Sequence, residues 1–244
     1  MNNLKIVSAT SAGIVRLPSA ERGGADHGWL KTQHAFSFAD YYDPAHMGFR
    51  TLRVINEDWI APGRGFGTHP HRDMEIFSYV LEGALEHKDS LGNSRTLRPG
   101  QIQLMSAGRG VTHSESNPNR HEPTHMLQIW IHPHTMGLPP SYTEWHPQPE
   151  NDGASKVLVI SPDGREGSAT LHQDADVYRL LLKPGESLTH SRRPDRGLWL
   201  QILRGQVTLN GLALAAGDGA SSEQADTFEI RAQDAAEALL FDLR

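Results

Sequence analysis

The fold class is decided by residues 76–105, which read IFSYVLEGALEHKDSLGNSRTLRPGQIQLM. Short apolar and alternating segments are separated in this stretch by glycine, proline and asparagine, which favour tight turns. The expected elements are a buried strand at 76–82, a segment at 83–88 that continues that strand or pairs with it, a hairpin turn at 90–93 and a strand at 101–105. The pattern predicts an all-β protein.

The same punctuation continues to the end of the chain. Further strands are expected at 126–131, 157–160, 177–183, 198–203, 206–209, 227–230 and 239–243, with a turn at Asn210-Gly211. Between them lies a stretch rich in proline, glycine and glutamate, which is typical of a connection between two units. We therefore predict an N-terminal domain at 1–135, a linker at 136–155 and a C-terminal domain at 156–244.

Composition narrows the classes of function. The chain has 244 residues, 29 acidic and 23 basic, and the basic residues form no stripe that could follow phosphates, so direct binding of nucleic acid is not expected. The absence of cysteine excludes disulfides and thiolate ligands. Because no run approaches the roughly 20 apolar residues of a membrane helix, we expect a cytoplasmic protein with no membrane partner. The sequence does not fix the oligomeric state, and a monomer is the default expectation.

Two short pairs of residues carry the chemistry. His69 and His71 stand two positions apart, and His113 and Glu115 repeat that spacing, so in extended strands each pair points to one face. If the strands face each other, three imidazoles and one carboxylate converge on one divalent first-row ion. A six-coordinate ion would keep two open positions, which suggests catalysis, whereas a four-coordinate zinc held by the same residues would be closed and structural.

A second His-Pro-His segment in the chain can be compared with the first. His132-Pro133-His134 repeats the wording of His69-Pro70-His71 but opens the predicted linker and has no second pair downstream, so we expect it not to bind metal. The alternative for both pairs is that they are ordinary loop residues among 14 histidines. The C-terminal half has a single histidine after His172, namely His190, and is interpreted as a copy of the first half without the chemistry.

Longer runs of sequence resemble a known family. The spacing Gly63-x5-His69-x-His71-x3-Glu75, with Gly100 through His113-x3-Asn117 after it, is similar to the two motifs of the cupin superfamily. The runs THPHRDMEIFSYVLEGALEHKDSLGN at 68–93, MSAGRGVTHSESNPN at 105–119 and HAFSFADYYDPAHMGFRTLRVINEDWIAPGRGFGTHPH at 34–71 resemble the pirin family closely. The resemblance covers most of residues 1–132 and, more loosely, the second half.

The resemblance implies a bicupin: two β-sandwich barrels in tandem, with metal only in the N-terminal one. It implies the ligand set His69, His71, His113 and Glu115. Glu75 stands at the carboxylate position of the general cupin motif, but pirins take their carboxylate from the second motif, so Glu75 is interpreted as structural. The ion would be a single divalent metal, with iron(II) expected first and nickel, manganese, cobalt, copper or zinc left open.

The same resemblance implies an activity. Some pirin-like proteins are quercetin 2,3-dioxygenases, which open a flavonol ring with dioxygen and release carbon monoxide, and Glu115 is the one proposed ligand that could also act as a base. One alternative is a non-catalytic, metal- or redox-sensing interaction protein, as eukaryotic pirins are described as transcription co-regulators. Another is a dioxygenase with a different physiological substrate.

Two further groups are interpreted from the sequence. His27, His34 and His46 and the aromatic residues near them are expected in packing and turns. Gln128 and Trp130 share a strand face and are candidates for the mouth of a cavity, with an ordinary buried tryptophan as the alternative.

Overall fold

The computed structural model describes residues 9–10 and 13–244. In these residues the regular structure is β-strand, with short 3-10 helices at Ser19–Glu21, Pro149–Asn151 and Arg165–Gly167 and no α-helix. No helix in the described residues has the length and apolar character needed to cross a membrane.

The strands up to residue 131 are β1 (Ala9–Thr10), β2 (Ile14–Leu17), β3 (Gly23–Asp26), β4 (Leu30–His34), β5 (Leu52–Ile60), β6 (Gly65–His71), β7 (Glu75–Glu82), β8 (Leu85–Asp89), β9 (Ser94–Leu97), β10 (Ile102–Ser106), β11 (Val111–Ser116) and β12 (Thr124–Ile131). The later strands are β13 (Ser141–Trp145), β14 (Lys156–Ser161), β15 (Ala169–Thr170), β16 (Ala175–Leu182), β17 (Ser187–Ser191), β18 (Gly197–Arg204), β19 (Gln206–Leu209), β20 (Leu212–Ala215), β21 (Gly219–Ser222), β22 (Thr227–Ala232) and β23 (Ala236–Leu243).

Two compact units divide the chain, and the first comprises residues 22–152 and 159–175. It contains a seven-stranded sheet in the order β13-β10-β7-β12-β5-β4-β3 and a four-stranded sheet in the order β6-β11-β8-β9. Apolar side chains of both sheets pack together: Val80 and Met126 from the larger sheet, and Leu85 and Leu97 from the smaller. The unit is therefore a β-sandwich whose core lies between the two sheets.

The second unit comprises residues 153–158, 176–244 and the N-terminal segment up to residue 21. Strands β2, β21, β18 and β23 are neighbours in its larger sheet, and its smaller sheet has the order β17-β22-β19-β20. Leu200 and Leu240 of the larger sheet pack with Val207 and Phe228 of the smaller one in a single cluster. This unit is also a sandwich with an apolar interior.

The all-β prediction and the prediction of two cupin sandwiches are confirmed. The expectation of barrels is corrected, because the sheets of both sandwiches stay open. The buried strand expected at 76–82 is β7, where every residue except Glu82 is buried. The hairpin turn at 90–93 joins β8 to β9, as expected.

One strand pairing differs from the expectation. The segment 83–88 does not continue β7 or pair with it; β8 pairs with β9 and β11 in the other sheet. The chain turns at Gly83, which has a φ of +76° and lies so close to Pro123 that a Cβ would be 2.7 Å from the Pro123 carbonyl oxygen. A positive φ and a close backbone approach are both accessible to glycine, so the chain changes sheet at this residue.

The units interleave along the chain, unlike the linear division predicted from composition. β13 falls within the stretch 136–155, where a linker is predicted, and pairs over its whole length with β10 of the first unit. At the N-terminus, β2 pairs with β21 of the second unit. Both exchanges come from strand pairing between residues far apart in sequence, which local composition does not report.

Candidate metal centre

The His69-Pro70-His71 segment forms the end of β6, an edge strand of the smaller sheet in the first unit. Proline has no N–H to give to a sheet ladder, so an edge position suits it. On its paired side, β6 meets β11 with His69 opposite His113 and Pro70 opposite Thr112. This register places one residue of each predicted pair, His69 and His113, directly opposite each other.

Three imidazoles converge at this point. The ring centroids of His69, His71 and His113 lie 4.5–4.9 Å apart, and the Nε2 atoms of His69 and His113 are 3.1 Å apart. The Nε2 atom of His71 is buried, and no group in the described part of the chain forms a hydrogen bond with it. A buried nitrogen without a hydrogen-bond partner destabilises the fold. A divalent cation bound by all three imidazoles would provide that partner.

The electrostatics of the cluster suit a metal ion. Burial, followed by the neighbouring histidines, lowers the pKa of His71 to about 4 and that of His113 to about 3. Both imidazoles are therefore neutral at pH 7, the form that binds a metal. The Nδ1 of His69 lies 2.8 Å from the carbonyl oxygen of Gly67, so an N–H there donates to that oxygen and leaves Nε2 as the lone-pair nitrogen.

Glu115 is buried next to this cluster and is held by three side chains. Ser78 Oγ and Gln103 Nε2 donate to its Oε1 at 2.7 and 2.5 Å, and Gln128 Nε2 donates to its Oε2 at 2.7 Å. A ligand oxygen of its carboxylate lies within 4.8 Å of ligand nitrogens of His113 and His87. The ligand nitrogens of His69, His71 and His113 form a second such group. The structure thus brings the three predicted histidines together and places the predicted carboxylate within 4.8 Å of one of them, His113.

His87 on β8 is a further member of the site that the sequence interpretation missed. Its ring is fully buried, with Nδ1 3.5 Å from His113 Nδ1 and Nε2 3.1 Å from Asp89 Oδ2. Burial opposes ionisation of Asp89, but hydrogen bonds from Asn93 and His87 outweigh it and lower the pKa of this carboxyl. The contacts from Asp89 to His87 and from His87 to His113 can orient the His113 ring, as carboxylate–histidine pairs do behind metal ligands.

A cavity of about 240 Å³ opens beside the histidines. Most of its exposed surface is apolar, although eight of the thirteen lining residues have polar side chains. The lining residues are His27, Leu30, Thr32, His34, Phe38, Ala39, Asn56, Asp58, Phe66, His69, Glu115, Gln128 and Trp130. Phe38 and Trp130 meet edge to face, with ring centroids 5.4 Å apart. An apolar pocket with a few convergent polar groups is the usual form of a small-molecule site.

The cavity lining bears on two interpretations made from the sequence. Gln128 and Trp130 line it, as one of the two alternatives predicted. His27, His34 and Phe38 line it as well, although they were expected only in packing and turns. The sheet order accounts for His34, because β5 lies beside β12 and β4 lies beside β5, so their inward side chains reach the same space. His27 and Phe38 lie in the segments just before and just after β4. Alternation within each strand marks inward residues, but nothing local reveals which strands are neighbours.

Glu75 is buried and lies outside the cavity lining. Its Oε2 accepts a hydrogen bond from Ser106 Oγ at 2.6 Å and another from the His172 N–H at 3.0 Å. Burial raises its pKa, against the effect of these bonds. The contacts agree with the structural role predicted for this residue.

The second unit surrounds its histidine, His190, with different polar contacts. The Nε2 of His190 lies 3.1 Å from Asp242 Oδ2, and its Nδ1 lies 2.7 Å from the Lys156 ammonium. Both groups of potential metal ligands in residues 13–244 belong to the first unit.

Two cupin sandwiches in one chain, with a histidine cluster beside an apolar cavity in the first, define a bicupin with one candidate metal centre. Residues 16–131 match the Pirin family, and residues 158–243 match the family described as the quercetinase C-terminal cupin domain. The chain belongs to the pirin family.

Named relatives and solved structures agree with this family. The chain is 49% identical over 224 residues to a protein of Escherichia coli K12 named quercetin 2,3-dioxygenase, covering 91% of this chain and 95% of that protein. It is 43% identical over 231 residues to a pirin-like protein of Caulobacter vibrioides, covering 94% and 99%. The crystal structure of the bacterial pirin YhhW from Escherichia coli in complex with nickel(II) superposes with a TM-score of 0.90 at 47% identity, covering 94% of this chain and 98% of that one.

Proposed function

We propose that this chain is a metal-dependent dioxygenase of the pirin type that cleaves flavonols such as quercetin with dioxygen. The observation that carries the proposal is the position of three clustered imidazoles and Glu115 beside a cavity with aromatic walls. A metal-dependent role is supported by the nickel complex of a relative, and the flavonol by the name of a relative at 49% identity.

His69, His71, His113 and Glu115 would hold the ion. The unpartnered Nε2 of His71 and the facing Nε2 atoms of His69 and His113 fit this role without rearrangement of the strands. Glu115 would need to loosen from the side chains that now bond it. When bound, the ion supplies a Lewis acid for the hydroxyl oxygen of the flavonol and a path for electrons to dioxygen. Iron(II) is our first candidate for the native ion.

Glu115 would take the proton from that hydroxyl group. Gln128 donates to its Oε2, and both residues line the cavity, so a ligand reaching Glu115 passes Gln128. A carboxylate that has accepted this proton returns it to solvent after the product leaves. Ser78 and Gln103, which bond the other oxygen, would keep the carboxyl group in place between these steps.

The aromatic walls would orient the substrate and limit water. Phe38, Phe66 and Trp130 present ring faces and edges to the cavity. In the proposed reaction dioxygen breaks two carbon–carbon bonds of the central flavonol ring. One ring carbon leaves as carbon monoxide with its oxygen, and both oxygen atoms of dioxygen remain in the second product. A dry pocket prevents competing hydrolysis of reactive species.

The test is aerobic turnover of quercetin by the purified protein, with elemental analysis before chelation, after chelation and after refilling with iron(II) or nickel(II). We expect loss of the visible flavonol absorbance and release of carbon monoxide that disappear with the metal and return with it. A fully metallated protein that leaves quercetin intact would refute the proposal and favour the sensing or partner-binding alternative.

Two further expectations belong to this proposal. We expect a monomer, which is the default state, and a cytoplasmic location. Sedimentation of the purified protein and fractionation of its host cell would test them.

A further inference from the structure

One carboxylate, that of Asp58 on β5, lies in the cavity wall without a full set of partners. The residue is 3% exposed, and the Thr32 hydroxyl hydrogen-bonds to its carboxyl group. Its Oδ1 atom is buried and has no hydrogen-bond partner among the residues that the structure describes. Leaving a buried acceptor unsatisfied destabilises a folded protein, so such atoms call for an explanation.

The surrounding strand does not supply that explanation. Successive residues of β5 point to opposite faces, and the charged partners lie on the face of Glu57, which bonds Arg22 at 2.7 Å and His125 at 2.9 Å. On the cavity face, Asn56 is already bonded to His34 at 2.7 Å. The ion pairs of this strand are therefore made by Glu57, on the face away from the cavity.

Burial has a second consequence for this group. It raises the pKa of Asp58 to about 7, with the hydrogen bond from Thr32 opposing the rise and the charges of Glu115 and Glu57 adding to it. Near neutral pH such a carboxyl group can accept a hydrogen bond when ionised and donate one when protonated. A hydroxyl group, which can do both, is a matching partner in either state.

We propose that Asp58 Oδ1 binds a hydroxyl group of the substrate, and that the cavity therefore selects hydroxylated aromatic compounds with at least two hydroxyl groups. This inference rests on the proposed function. One hydroxyl group would face the metal-binding histidines and Glu115. A second hydroxyl group, on another part of the ligand, would form a hydrogen bond with Asp58 Oδ1. The rings between them would lie against Phe38, Phe66 and Trp130, which share the cavity with both groups.

The size of the cavity sharpens the proposal. At about 240 Å³ it is smaller than the roughly 300–1,000 Å³ of pockets that enclose drug-sized ligands. A three-ring flavonol would then be enclosed in part, with the rest at the opening. The hydroxyl recognised by Asp58 must lie on the enclosed part, which makes this residue a determinant of specificity and of orientation.

The experiment measures binding without turnover. Nickel(II)-loaded protein is titrated anaerobically by calorimetry with quercetin and with 3-hydroxyflavone, which keeps the hydroxyl beside the ring carbonyl and lacks the others. The variants are Asp58→Ala, Asp58→Asn and, as a matched buried carboxylate outside the cavity, Glu75→Gln. Metal content and the far-ultraviolet dichroism of each variant confirm that the site and fold persist.

We expect the wild type and Glu75→Gln to bind quercetin about 10- to 100-fold more tightly than 3-hydroxyflavone, the range for a hydrogen bond to a charged group. The ratio should fall to near one in Asp58→Ala and to an intermediate value in Asp58→Asn, whose amide oxygen still accepts. An unchanged ratio in both Asp58 variants, or no binding of either flavonol by the wild type, would overturn the proposal.

These outcomes separate the two proposals. Turnover of quercetin with an unchanged ratio would keep the dioxygenase and remove the role of Asp58. A ratio that depends on Asp58, together with no metal-dependent turnover, would keep the binding role and remove the dioxygenase.

Discussion

Replacement of Gly65 by alanine should separate β6 from β11 and weaken the metal centre. A Cβ at this position would lie 2.3 Å from the Glu115 carbonyl oxygen and 2.4 Å from the Ser116 Cα. Both are backbone atoms, so no side chain can turn away. Reaching an ordinary contact of about 3.5 Å requires β6 to move by roughly 1 Å. Gly67, two residues along the same strand, faces open space, and a Cβ there would have no neighbouring atom within 4 Å.

The two glycines therefore form a matched pair. Overpacking of this kind costs about 1–3 kcal/mol of unfolding free energy, so Gly65→Ala should lose that amount. Gly67→Ala should be neutral or gain up to about 1 kcal/mol, because alanine reduces the freedom of the unfolded chain. Urea unfolding of metal-free protein measures both, and nickel(II) titration should show weaker binding only in Gly65→Ala, since the shift separates His69 from His113. Equal stability and equal affinity in the two variants would refute this reasoning.

The remaining predictions concern the histidines. His87→Phe should weaken nickel(II) affinity by about 10- to 100-fold in competition with a chelator, because His113 loses the ring that orients it; His125→Phe, which removes a histidine bonded to a carboxylate away from the site, should not. His113→Ala should lose stoichiometric metal by elemental analysis while keeping its β-sheet dichroism, and full retention of metal would disprove the ligand assignment. Alanine at both histidines of the segment 132–134 should leave metal content unchanged, and loss there would mean that the wrong pair was chosen. In metal-free protein the pKa of His113 falls from 6.5 to about 3 on folding, chiefly through burial, so the unfolded state binds more protons between these values and this residue lowers stability as pH falls from 7 to 5. Asp58, with its raised pKa, acts in the opposite direction in this window, in the wild type and in a His113 variant alike. The measurement is therefore the change in unfolding free energy between pH 7 and pH 5, compared between the wild type and His113→Phe. The wild type should lose more stability, and equal changes would contradict the lowered pKa of His113.

Local sequence pattern predicted the parts of the fold that depend on neighbouring residues. Alternation and buried runs located β7, β10 and β12, and the hairpin chemistry at 90–93 located the turn between β8 and β9. The spacing of two residues in the segment 69–71 predicted a pair of imidazoles on one face, and both rings lie in the histidine cluster. Each of these features is decided within a few residues.

The parts that were missed depend on which strands become neighbours. His87 approaches His113 because β8 pairs with β11, and Asp58 reaches the cavity because β5 lies beside β12. Neither pairing leaves a periodic signal in either strand. For His87, the sequence offered one signal: His87 and Asp89 stand two positions apart, so in a strand both side chains point to one face.

Glu115 illustrates a different limit. The spacing predicted that it would point the same way as His113, and both side chains are buried with ligand atoms within 4.8 Å of each other. The bulge lies in β6, which holds one extra residue, so Glu115 faces Phe66 and not a histidine of that strand, and the spacing within β11 does not report this. In the structure its carboxylate is bonded to Ser78, Gln103 and Gln128.

We propose that His69, His71, His113 and Glu115 hold one divalent ion. Anomalous diffraction from crystals of the nickel(II)-loaded protein, collected on both sides of the nickel edge, tests this ligand set. We expect one strong peak bonded to the Nε2 atoms of the three histidines, with the carboxylate of Glu115 turned towards it. A peak at another group of residues, or a peak that Glu115 does not reach, would rule out this ligand set.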